Sequence, residues 1–370
     1  MREILFVAGE ASGDLHTARV AAALSALRPD LRSVGVGGGE MRAAGVEIVQ
    51  DYEALAVMGF VEVLRHIPKH AALLRKMTAR LQSGSVGLLI VVDYPGFNMK
   101  LAAAAKAAGV PVLYFITPQV WAWGAKRLPR IARDVTKAAV ILPFEERLLR
   151  EHGIDATFVG HPLLDRARAL PSRAEARASL GLPEGGEVLA LFPGSRAQEI
   201  ERHLEPFIGA AHELVRRRPG LRVVVSVAPT VRIEGARCPF PMVRGESFAV
   251  LRAADAALCK SGTTTLEAAV AGCPLIVAYK TNGLTYAIAR RVVKIPRIGL
   301  VNVVAGREVA REFVQGAASP VAMADALAPL MTPGSLERQR ALRDLAEVRD
   351  RLGEPGAAER VAKMAVDMIS

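Results

Sequence analysis

The chain has 370 residues, of which 51% are hydrophobic, 23% are charged and only 5% are aromatic. This length is too great for one ordinary α/β domain, and the apolar content is sufficient for two separate hydrophobic cores. Lys and Arg number 48 against 37 Asp and Glu, and the formal net charge of +11 favours nucleic acid, an anionic membrane face or phosphorylated substrates as partners. Nucleic acid is excluded, because the sequence contains no helix-turn-helix, zinc module or aromatic RNA-binding platform.

In the first half of the chain, short apolar runs alternate with Ala-rich segments of helical periodicity. We predict strands over residues 4–8, 33–36, 88–92, 112–116, 140–142 and 157–159, and helices over 15–27, 40–44 and 99–108. Continuous apolar strands separated by amphipathic helices indicate a parallel sheet that is covered on both faces.

The second half repeats this pattern after a polar, Pro-containing stretch at residues 162–186. Strands are predicted over 188–192, 223–227, 256–259 and 275–278, and helices over 197–218 and 265–271. The last two helices, 335–351 and 357–368, precede no further strand, and periodicity allows them to cover either domain. The sequence therefore predicts an α/β fold with two Rossmann-like, doubly wound parallel-sheet domains that face each other across a cleft.

The cysteines and the apolar runs bear on the compartment. Three cysteines form no C-x-x-C pair, which favours a reduced, cytosolic environment. No secretory signal opens the sequence, and runs such as 86–92 fall far short of the roughly 20 apolar residues that span a bilayer. We expect a soluble or peripheral protein.

Three polar loops follow predicted strands of the first half, where doubly wound sheets bind their ligands. GEASGD (residues 9–14) either approaches a ligand or forms a glycine turn in which Ser12 or Asp14 caps the next helix. DYPGFN (93–98) places Asp93 at a strand end, as a general base or as the cap of a Pro-Gly turn. TPQVWAW (117–123) contains both tryptophans and forms either a hydrophobic staple or a wall of an acceptor pocket.

Two loops of the second half have the pattern of anion-binding helix N-termini. FPGSR (192–196) includes Arg196, and its Ser195 has capping-box spacing with Gln198. CKSGTTT (259–265) precedes another helix, and its Thr264 has the same spacing with Glu267. Each loop suits a phosphate or is ordinary capping. Neither is a Walker loop, the G-x-G-x-x-G fingerprint of nicotinamide cofactors is absent, and no Asp-x-Asp provides a metal site. The sequence thus predicts neither cofactor nor metal.

Residues 55–81 mix apolar and cationic side chains. An ordinary core helix explains this pattern, and so does a segment that binds a membrane surface or acyl chains, because apolar and basic groups together suit an anionic interface.

Taken in order, the motifs resemble those of the lipid-A-disaccharide synthase family. The matching segments are AGEASGD (8–14), DYPGFN (93–98), PQVWAW (118–123), FVGHPL (158–163), PGSRAQEI (193–200), SGTTTLE (261–267), AYK (278–280) and NVVAGRE (302–308). They span nearly the whole chain. The resemblance implies a GT-B-type fold with an acceptor domain at 1–165, to which helices 345–370 return, and a UDP-sugar domain at 166–344.

The resemblance also implies the reaction and its setting. Members are inverting, metal-independent transferases that join UDP-2,3-diacylglucosamine to 2,3-diacylglucosamine 1-phosphate, releasing UDP and forming the β-1,6-linked disaccharide of lipid A. They work at the inner, anionic face of the cytoplasmic membrane, without a cofactor, as homodimers with exchanged C-terminal segments. We therefore expect a cytoplasmic, peripheral membrane enzyme.

Carried over position by position, the resemblance makes Asp93 the general base and Arg196 the group that stabilises the leaving diphosphate. It assigns substrate binding to Glu10, Ser12, Gly13, Asn98, Gln119, Gly194, Ser195, Ser261, Gly262, Thr263, Thr264, Glu267 and Asn302. The alternatives are another UDP-sugar GT-B enzyme, such as a cell-wall glucosaminyltransferase or a UDP-sugar epimerase, and a catalytically silent membrane-binding protein on the same scaffold.

Overall fold

The computed structural model describes residues 3–52, 60–283, 286 and 296–369, with the backbone alone at 60–67 and 123. The chain crosses twice between two units, so that the first contains Met1–Asp165 and Glu354–Ser370 and the second contains Arg166–Gly353. Each unit is built on its own parallel sheet, which confirms the predicted fold class.

The first unit has a seven-stranded sheet in the order β3-β2-β1-β4-β5-β6-β7. Its strands are β1 (Glu3–Ala8), β2 (Arg32–Gly37), β3 (Glu47–Asp51), β4 (Val86–Val92), β5 (Val112–Phe115), β6 (Lys137–Val140) and β7 (Ala156–Phe158). Its helices are α1 (Ala11–Leu27), α2 (Gly39–Ala43), α3 (Phe60–Gln82), α4 (Pro95–Ala107), α5 (Leu128–Asp134) and α6 (Pro143–Arg150), with α7 (Leu163–Arg166) at the crossing.

Both faces of this sheet are buried, as the continuous apolar strands predict. Because side chains alternate along a strand, Ile4 and Phe6 of β1 enter one core, and Leu5 and Val7 enter the other. The first core is closed by α1 and by helical residues 357–365, and the second by α3, α4, α5 and α6.

The second unit has a six-stranded sheet in the order β10-β9-β8-β11-β12-β13. Its strands are β8 (Val188–Phe192), β9 (Arg222–Val227), β10 (Met242–Arg244), β11 (Ala256–Lys260), β12 (Leu275–Tyr279) and β13 (Glu312–Val314). Its helices are α8 (Arg173–Ser179), α9 (Ala197–Arg217), α10 (Ser247–Ala253), α11 (Thr264–Ala271), α12 (Leu300–Ala305), α13 (Pro320–Met331) and α14 (Leu336–Arg351). Cys238, Cys259 and Cys273 are buried free thiols in this unit.

The final helix, α15 (Ala357–Ile369), packs on α1 in the first unit. The return is fixed by Gly356 N–H, which donates to Asp165 at 2.6 Å, and by Arg360 Nε, which donates to the Val159 carbonyl at 2.9 Å. The sequence placed this return at residue 345. The structure places it at Glu354, because α14 continues to Arg351 and buries Leu345 and Val348 in the second unit.

Candidate active site

Both sheets have a switch point, where the direction of strand addition reverses. In the first unit it lies between β1 and β4, with Ala8 opposite Val92, and in the second between β8 and β11, with Phe192 opposite Cys259. Open parallel sheets bind ligands beyond the carboxyl ends of their strands at such points. The segments that follow these four strands contain most of the predicted site residues, so each sheet brings its own set together.

Asp93 lies in a backbone turn that residues with side chains rarely adopt. Its φ is 45° and that of Tyr94 is 47°, so two consecutive residues are left-handed. Such conformations cost about 1–3 kcal/mol each and persist only where the surroundings fix them. Here Asp93 N–H donates to the Phe115 carbonyl at 3.1 Å, and the Asp93 carbonyl accepts from Tyr114 Oη at 2.8 Å and Asn98 Nδ2 at 2.8 Å. These bonds fix the backbone from which the half-buried carboxylate extends.

The ring of Tyr94 completes this turn. It stacks on Phe97 with ring centroids 5.9 Å apart, and its hydroxyl lies 2.7 Å from Nε2 of His70 on α3. A Cβ at residue 9 would lie 2.3 Å from the Tyr94 ring, so the end of β1 requires glycine. Gly9 therefore has a steric reason, which is to admit the tyrosine beside Asp93.

Asn98 supports the turn from within the protein. Its side chain is fully buried, and Nδ2 also donates to the Val92 carbonyl at 3.2 Å. Within the described ranges, Oδ1 of Asn98 has no hydrogen-bond partner. The Nδ2 group of Asn98 thus supports the strand end that carries Asp93, and contact of Asn98 with the acceptor stays a prediction.

Residues 11–14 of GEASGD form the first turn of α1, because the helix begins at Ala11, and Glu10 is its N-cap residue. Glu10 and Ser12 are exposed, and Ser12 Oγ donates to Glu10 Oε1 at 2.9 Å. Gly13 is buried, and a Cβ there would lie 3.4 Å from that of Ala8. The exposed pair of side chains is available to a ligand, whereas Gly13 is buried and its contact with substrate stays a prediction.

The sequence suggests that Asp14 caps α1. In the structure its carboxylate caps α2 instead. Its Oδ1 accepts from Gly38 N–H at 2.6 Å and its Oδ2 from Glu40 N–H at 3.0 Å. These amides begin α2, where a carboxylate is favoured by the helix dipole. A Cβ at Gly38 would lie 2.9 Å from Oδ2, which explains a glycine after β2.

Gln119 and Trp121 differ in accessibility. Gln119 is exposed and immediately precedes a π-helical turn, Val120–Gly124, a geometry that often occurs at functional sites. The Trp121 indole donates from Nε1 to Glu145 Oε1 at 3.0 Å and packs edge-on against Phe144 with centroids 5.3 Å apart. These contacts favour the packing interpretation for Trp121 and leave Gln119 as the accessible group. The Trp123 side chain lies outside the described residues.

Glu145, which holds Trp121, gives a pH-dependent prediction. Burial raises the pKa of the Glu145 carboxyl to about 7, although hydrogen bonds from Leu142 N–H and Trp121 Nε1 oppose the shift. When the pKa of a carboxyl is higher in the folded than in the unfolded protein, the free energy of unfolding falls as pH rises from the unfolded to the folded pKa. We expect Glu145→Gln to remove a decline of about 3 kcal/mol between about pH 4.5 and 7. The free energy of unfolding, followed by tryptophan fluorescence across this range, measures the slope.

The comparison must be between variant and parent at each pH, because buried His161 produces the opposite slope. Burial lowers the pKa of His161 to about 3, so the stability associated with its neutral form is lost as pH falls. Glu146→Gln, at a more accessible neighbouring carboxylate, is the matched control. Identical pH profiles for Glu145→Gln and the parent would contradict the assignment.

In the second unit, the first candidate anion loop joins β8 to α9. Gly194 has a φ of 134°, and a Cβ there would lie 2.6 Å from that of Glu199, so only glycine fits. The predicted Ser195–Gln198 capping box does not form, because α9 begins at Ala197 and Ser195 N–H donates instead to Glu199 Oε2 at 2.9 Å. The Arg196 side chain is 78% exposed and therefore accessible to an anionic ligand.

The second loop joins β11 to α11. Its predicted Thr264–Glu267 capping box does not form either, because the N-cap is Thr263, which has a helical φ of −59°. Ser261 Oγ donates to the Ile298 carbonyl at 2.6 Å, and Thr265 Oγ1 donates to the Gly262 carbonyl at 2.8 Å. The loop is thus held by its own hydroxyls, with exposed Thr263 at the start of the helix.

Lys260, to which the sequence assigned no role, links these two loops. Its Nζ lies 2.8 Å from Glu199 Oε1, and 3.8 Å from where a Cβ of Gly262 would be. The CKSGTTT motif shows that a lysine precedes the loop, but only the tertiary structure shows that its partner is Glu199.

Glu267 is buried and forms an ion pair with a residue that the sequence did not single out. Arg166 Nη1 donates to Glu267 Oε1 at 3.0 Å, and the guanidinium lies 5.0 Å from the ring centroid of Phe248. One carboxylate oxygen is therefore fixed by Arg166.

The side chain of Asn302 is held by hydrogen bonds inside the second unit. It is fully buried, its Nδ2 donates to the Ala310 carbonyl at 2.6 Å and to Glu312 Oε1 at 2.8 Å, and its Oδ1 accepts from Val309 and Ala310 N–H at 2.8 Å. All four hydrogen-bonding groups of its side chain are used inside the protein, and substrate contact by Asn302 stays a prediction.

The described residues contain no group of three or more His, Cys, Asp or Glu side chains placed to hold a metal ion. None of the helices within the described ranges is both long and apolar enough to cross a membrane.

A family model described as lipid-A-disaccharide synthetase matches residues 4–365. A lipid-A-disaccharide synthase of Trichlorobacter lovleyi is 41% identical over 376 residues, covering 100% of this chain and 98% of the relative. One of Anaeromyxobacter sp. is 43% identical over 370 residues, covering 98% and 96%.

Solved structures of lower identity share the fold. A UDP-GlcNAc 2-epimerase of Neisseria meningitidis, solved with UDP-GlcNAc bound, aligns with a TM-score of 0.62 at 13% identity over 99% of this chain and 100% of that chain. MurG of Acinetobacter baumannii aligns with a TM-score of 0.58 at 14% identity over 99% and 100%. At these identities the alignments establish the architecture alone.

Proposed function

The chain belongs to the lipid-A-disaccharide synthetase family, and from this premise we propose its substrates and the residues that act on them. It is a glycosyltransferase that forms the lipid A disaccharide. In the proposed reaction, 2,3-diacylglucosamine passes from UDP-2,3-diacylglucosamine to 2,3-diacylglucosamine 1-phosphate, and UDP is released. The observation that carries the site assignment is the strained turn of Asp93 at the switch point of the first sheet.

In this proposal, Asp93 is the general base of the acceptor side. Its carboxylate removes the proton from the acceptor's 6-hydroxyl while that oxygen attacks the anomeric carbon of the donor. The bond from this carbon to the diphosphate oxygen breaks, and UDP leaves with the electron pair. Attack opposite the leaving group inverts the configuration and gives a β-1,6 linkage. The fixed backbone of Asp93 supports this role, because a base must be held within hydrogen-bonding reach of its proton.

The second unit binds the donor in this proposal. Charge that develops on the leaving diphosphate is stabilised by Arg196 and by helix-terminal amides, which need no metal ion. The loop residues assigned to the diphosphate are Gly194, Ser195, Ser261, Gly262, Thr263 and Thr264. Glu267, one oxygen of which is held by Arg166, offers the other to the ribose hydroxyls.

The acceptor side uses the accessible groups of the first unit. Glu10, Ser12 and Gln119 are exposed near strand ends of that sheet and are assigned to the acceptor side of the site. Asn98 acts through the backbone of Asp93, and Tyr114 does the same from β5.

Tyr114→Phe tests this positioning role, because it removes one hydroxyl and leaves the packing unchanged. Losing a hydrogen bond to the Asp93 carbonyl costs about 1 kcal/mol, so we expect turnover to fall about five- to tenfold. The UDP affinity should not change, since the hydroxyl lies in the first unit. Steady-state kinetics with both substrates and titration with UDP measure these effects. Parental turnover in a folded variant would show that the hydroxyl does not position Asp93.

We also propose that the protein works at the cytoplasmic face of an anionic membrane, as a homodimer with exchanged C-terminal segments. The net charge of +11 and the exposed Lys69, Arg75 and Lys76 on α3 support docking, at about 1 kcal/mol per cation near the surface. Residues 55–59 and the side chains of 60–67, part of the predicted membrane segment, lie outside the described residues. Absence of cosedimentation with phosphatidylglycerol vesicles would contradict docking, and a monomeric mass in solution would contradict the dimer.

The proposed function is tested by supplying purified protein with both diacylglucosamine substrates and analysing the products by mass spectrometry. We expect one disaccharide 1-phosphate for each UDP released. An epimerase would instead convert the UDP-sugar without an acceptor, and a cell-wall glucosaminyltransferase would ignore the lipid acceptor. A membrane-binding protein without catalytic activity would release no UDP.

A further inference from the structure

Glu199 and Lys260 form a partly buried ion pair between the two candidate anion loops of the second unit. Glu199 lies in the first turn of α9, and Lys260 ends β11, which lies next to β8 in the sheet. The atoms Oε1 and Nζ are 2.8 Å apart, and the side chains are 14% and 18% exposed, respectively. This pair is therefore more enclosed than most surface ion pairs of the chain.

The Glu199 carboxylate makes the contacts that an anionic ligand would make at this position. Its Oε2 accepts from Ser195 N–H at 2.9 Å, its Oε1 accepts from Lys260, and Arg196 Nη1 lies 3.7 Å away. Burial alone would raise the pKa of the Glu199 carboxyl, but the hydrogen bonds from Lys260 and Ser195 hold it below its usual value. The group is thus an ionised anion among an amide, an ammonium and a guanidinium.

We propose that Glu199 is an internal counter-ion that the diphosphate of the donor displaces, and that Lys260 then binds this diphosphate. The inference rests on the proposed function, because it takes UDP as the ligand of these loops. A carboxylate that remained between the two cations would repel the incoming diphosphate in a site with little screening. Its neighbours on α9, Ala197 and Gln198, are exposed, so the helix turn that carries Glu199 lies at the surface of the unit.

Lys260 is placed to exchange one anion for the other without moving. Its ammonium lies beside Gly262 and 5.9 Å from the centroid of the Tyr279 ring. The Tyr279 ring, at the end of β12, thus contacts the ammonium on the side of the sheet. A lysine provides a compact charge that suits a phosphate oxygen as well as a carboxylate oxygen. In the donor-free chain this charge is neutralised by Glu199, and in the complex by the diphosphate.

Two substitutions give effects of opposite sign. Glu199→Gln keeps the shape and an acceptor for Ser195 N–H but removes the competing charge, so UDP should bind about three- to tenfold more tightly. Lys260→Met keeps the apolar stem but removes a charge-assisted hydrogen bond, so UDP should bind about tenfold or more weakly. Lys260→Arg should restore part of this loss.

The experiment is isothermal titration of the full chain and its variants with UDP. Glu201→Gln, exposed on the same helix, and Arg222→Gln, exposed at the amino end of β9, are controls for the change in charge. Tighter binding by Glu199→Gln together with weaker binding by Lys260→Met supports the exchange. Weaker binding by Glu199→Gln would show that Glu199 supports Lys260 in the UDP complex. Unchanged affinities in both variants would show that neither residue contacts UDP. Either result overturns the inference. The proposed function stands in those cases if the parent chain binds UDP and makes the disaccharide. A parent chain that binds no UDP overturns both the inference and the proposed function.

Discussion

Asp93→Asn is expected to lower turnover by at least about 100-fold while the affinity for UDP stays unchanged. General-base catalysis contributes about 10²–10⁴-fold, and an amide cannot accept the proton of the acceptor hydroxyl. Asparagine is the informative replacement because, like aspartate, it tolerates the left-handed conformation that residue 93 adopts, whereas alanine would add backbone strain. Turnover is measured with both lipid substrates, and UDP affinity by titration.

Asp155→Asn is the matched control, since this exposed aspartate precedes β7, an edge strand of the same sheet. It should behave like the parent in both assays. Full turnover in Asp93→Asn would eliminate the base assignment. A loss of UDP binding in that variant would mean that Asp93 supports the donor site and not the acceptor.

Arg177→Met is expected to destabilise the second unit by about 3–5 kcal/mol, the range for removing one partner of a buried ion pair. The Arg177 side chain is only 2% exposed and pairs with Asp255 at 3.2 Å. It also donates to the carbonyls of Ala253 at 3.1 Å, Glu184 at 2.6 Å and Gly186 at 3.0 Å. Methionine matches the length of the side chain but leaves these acceptors without their donor.

The change is best measured by hydrogen exchange of the β8 amides, because both tryptophans lie in the first unit and do not report on the second. Arg173→Met is the control. Arg173 pairs with the same aspartate but is 40% exposed, so its loss should cost about 1 kcal/mol or less. Equal protection of β8 in the two variants would contradict the assignment of Arg177 as the main support.

The layers and the sheet type could be predicted from the sequence, because strands buried on both faces form unbroken apolar runs. The prediction missed β3, β10 and β13, each of which lies at an edge of its sheet. An edge strand has one neighbour and needs fewer apolar residues: β3 has no buried residue, and β10 is largely exposed. Nothing in their local pattern distinguishes them from loops.

The candidate site was predictable where its residues end strands, and not where a distant partner determines the role. Asp93 and Arg196 follow strands in the printed sequence, but the pairing of Lys260 with Glu199 requires the tertiary structure. Spacing likewise predicted two capping boxes that do not form, since a helix start displaced by one residue changes which side chain reaches the free amides. Asn302 illustrates the converse, because a polar residue in a matching motif serves the interior.

In the proposed mechanism, a single carboxylate of the first unit deprotonates the acceptor, and the second unit holds the leaving UDP. The anomeric configuration of the purified disaccharide, determined by NMR from the one-bond carbon–proton coupling at the new linkage, tests this assignment most directly. Starting from an α-linked UDP-sugar, we expect a β linkage to the 6-oxygen of the acceptor. An α linkage would require a second displacement or attack on the face of the leaving group, and would contradict the mechanism.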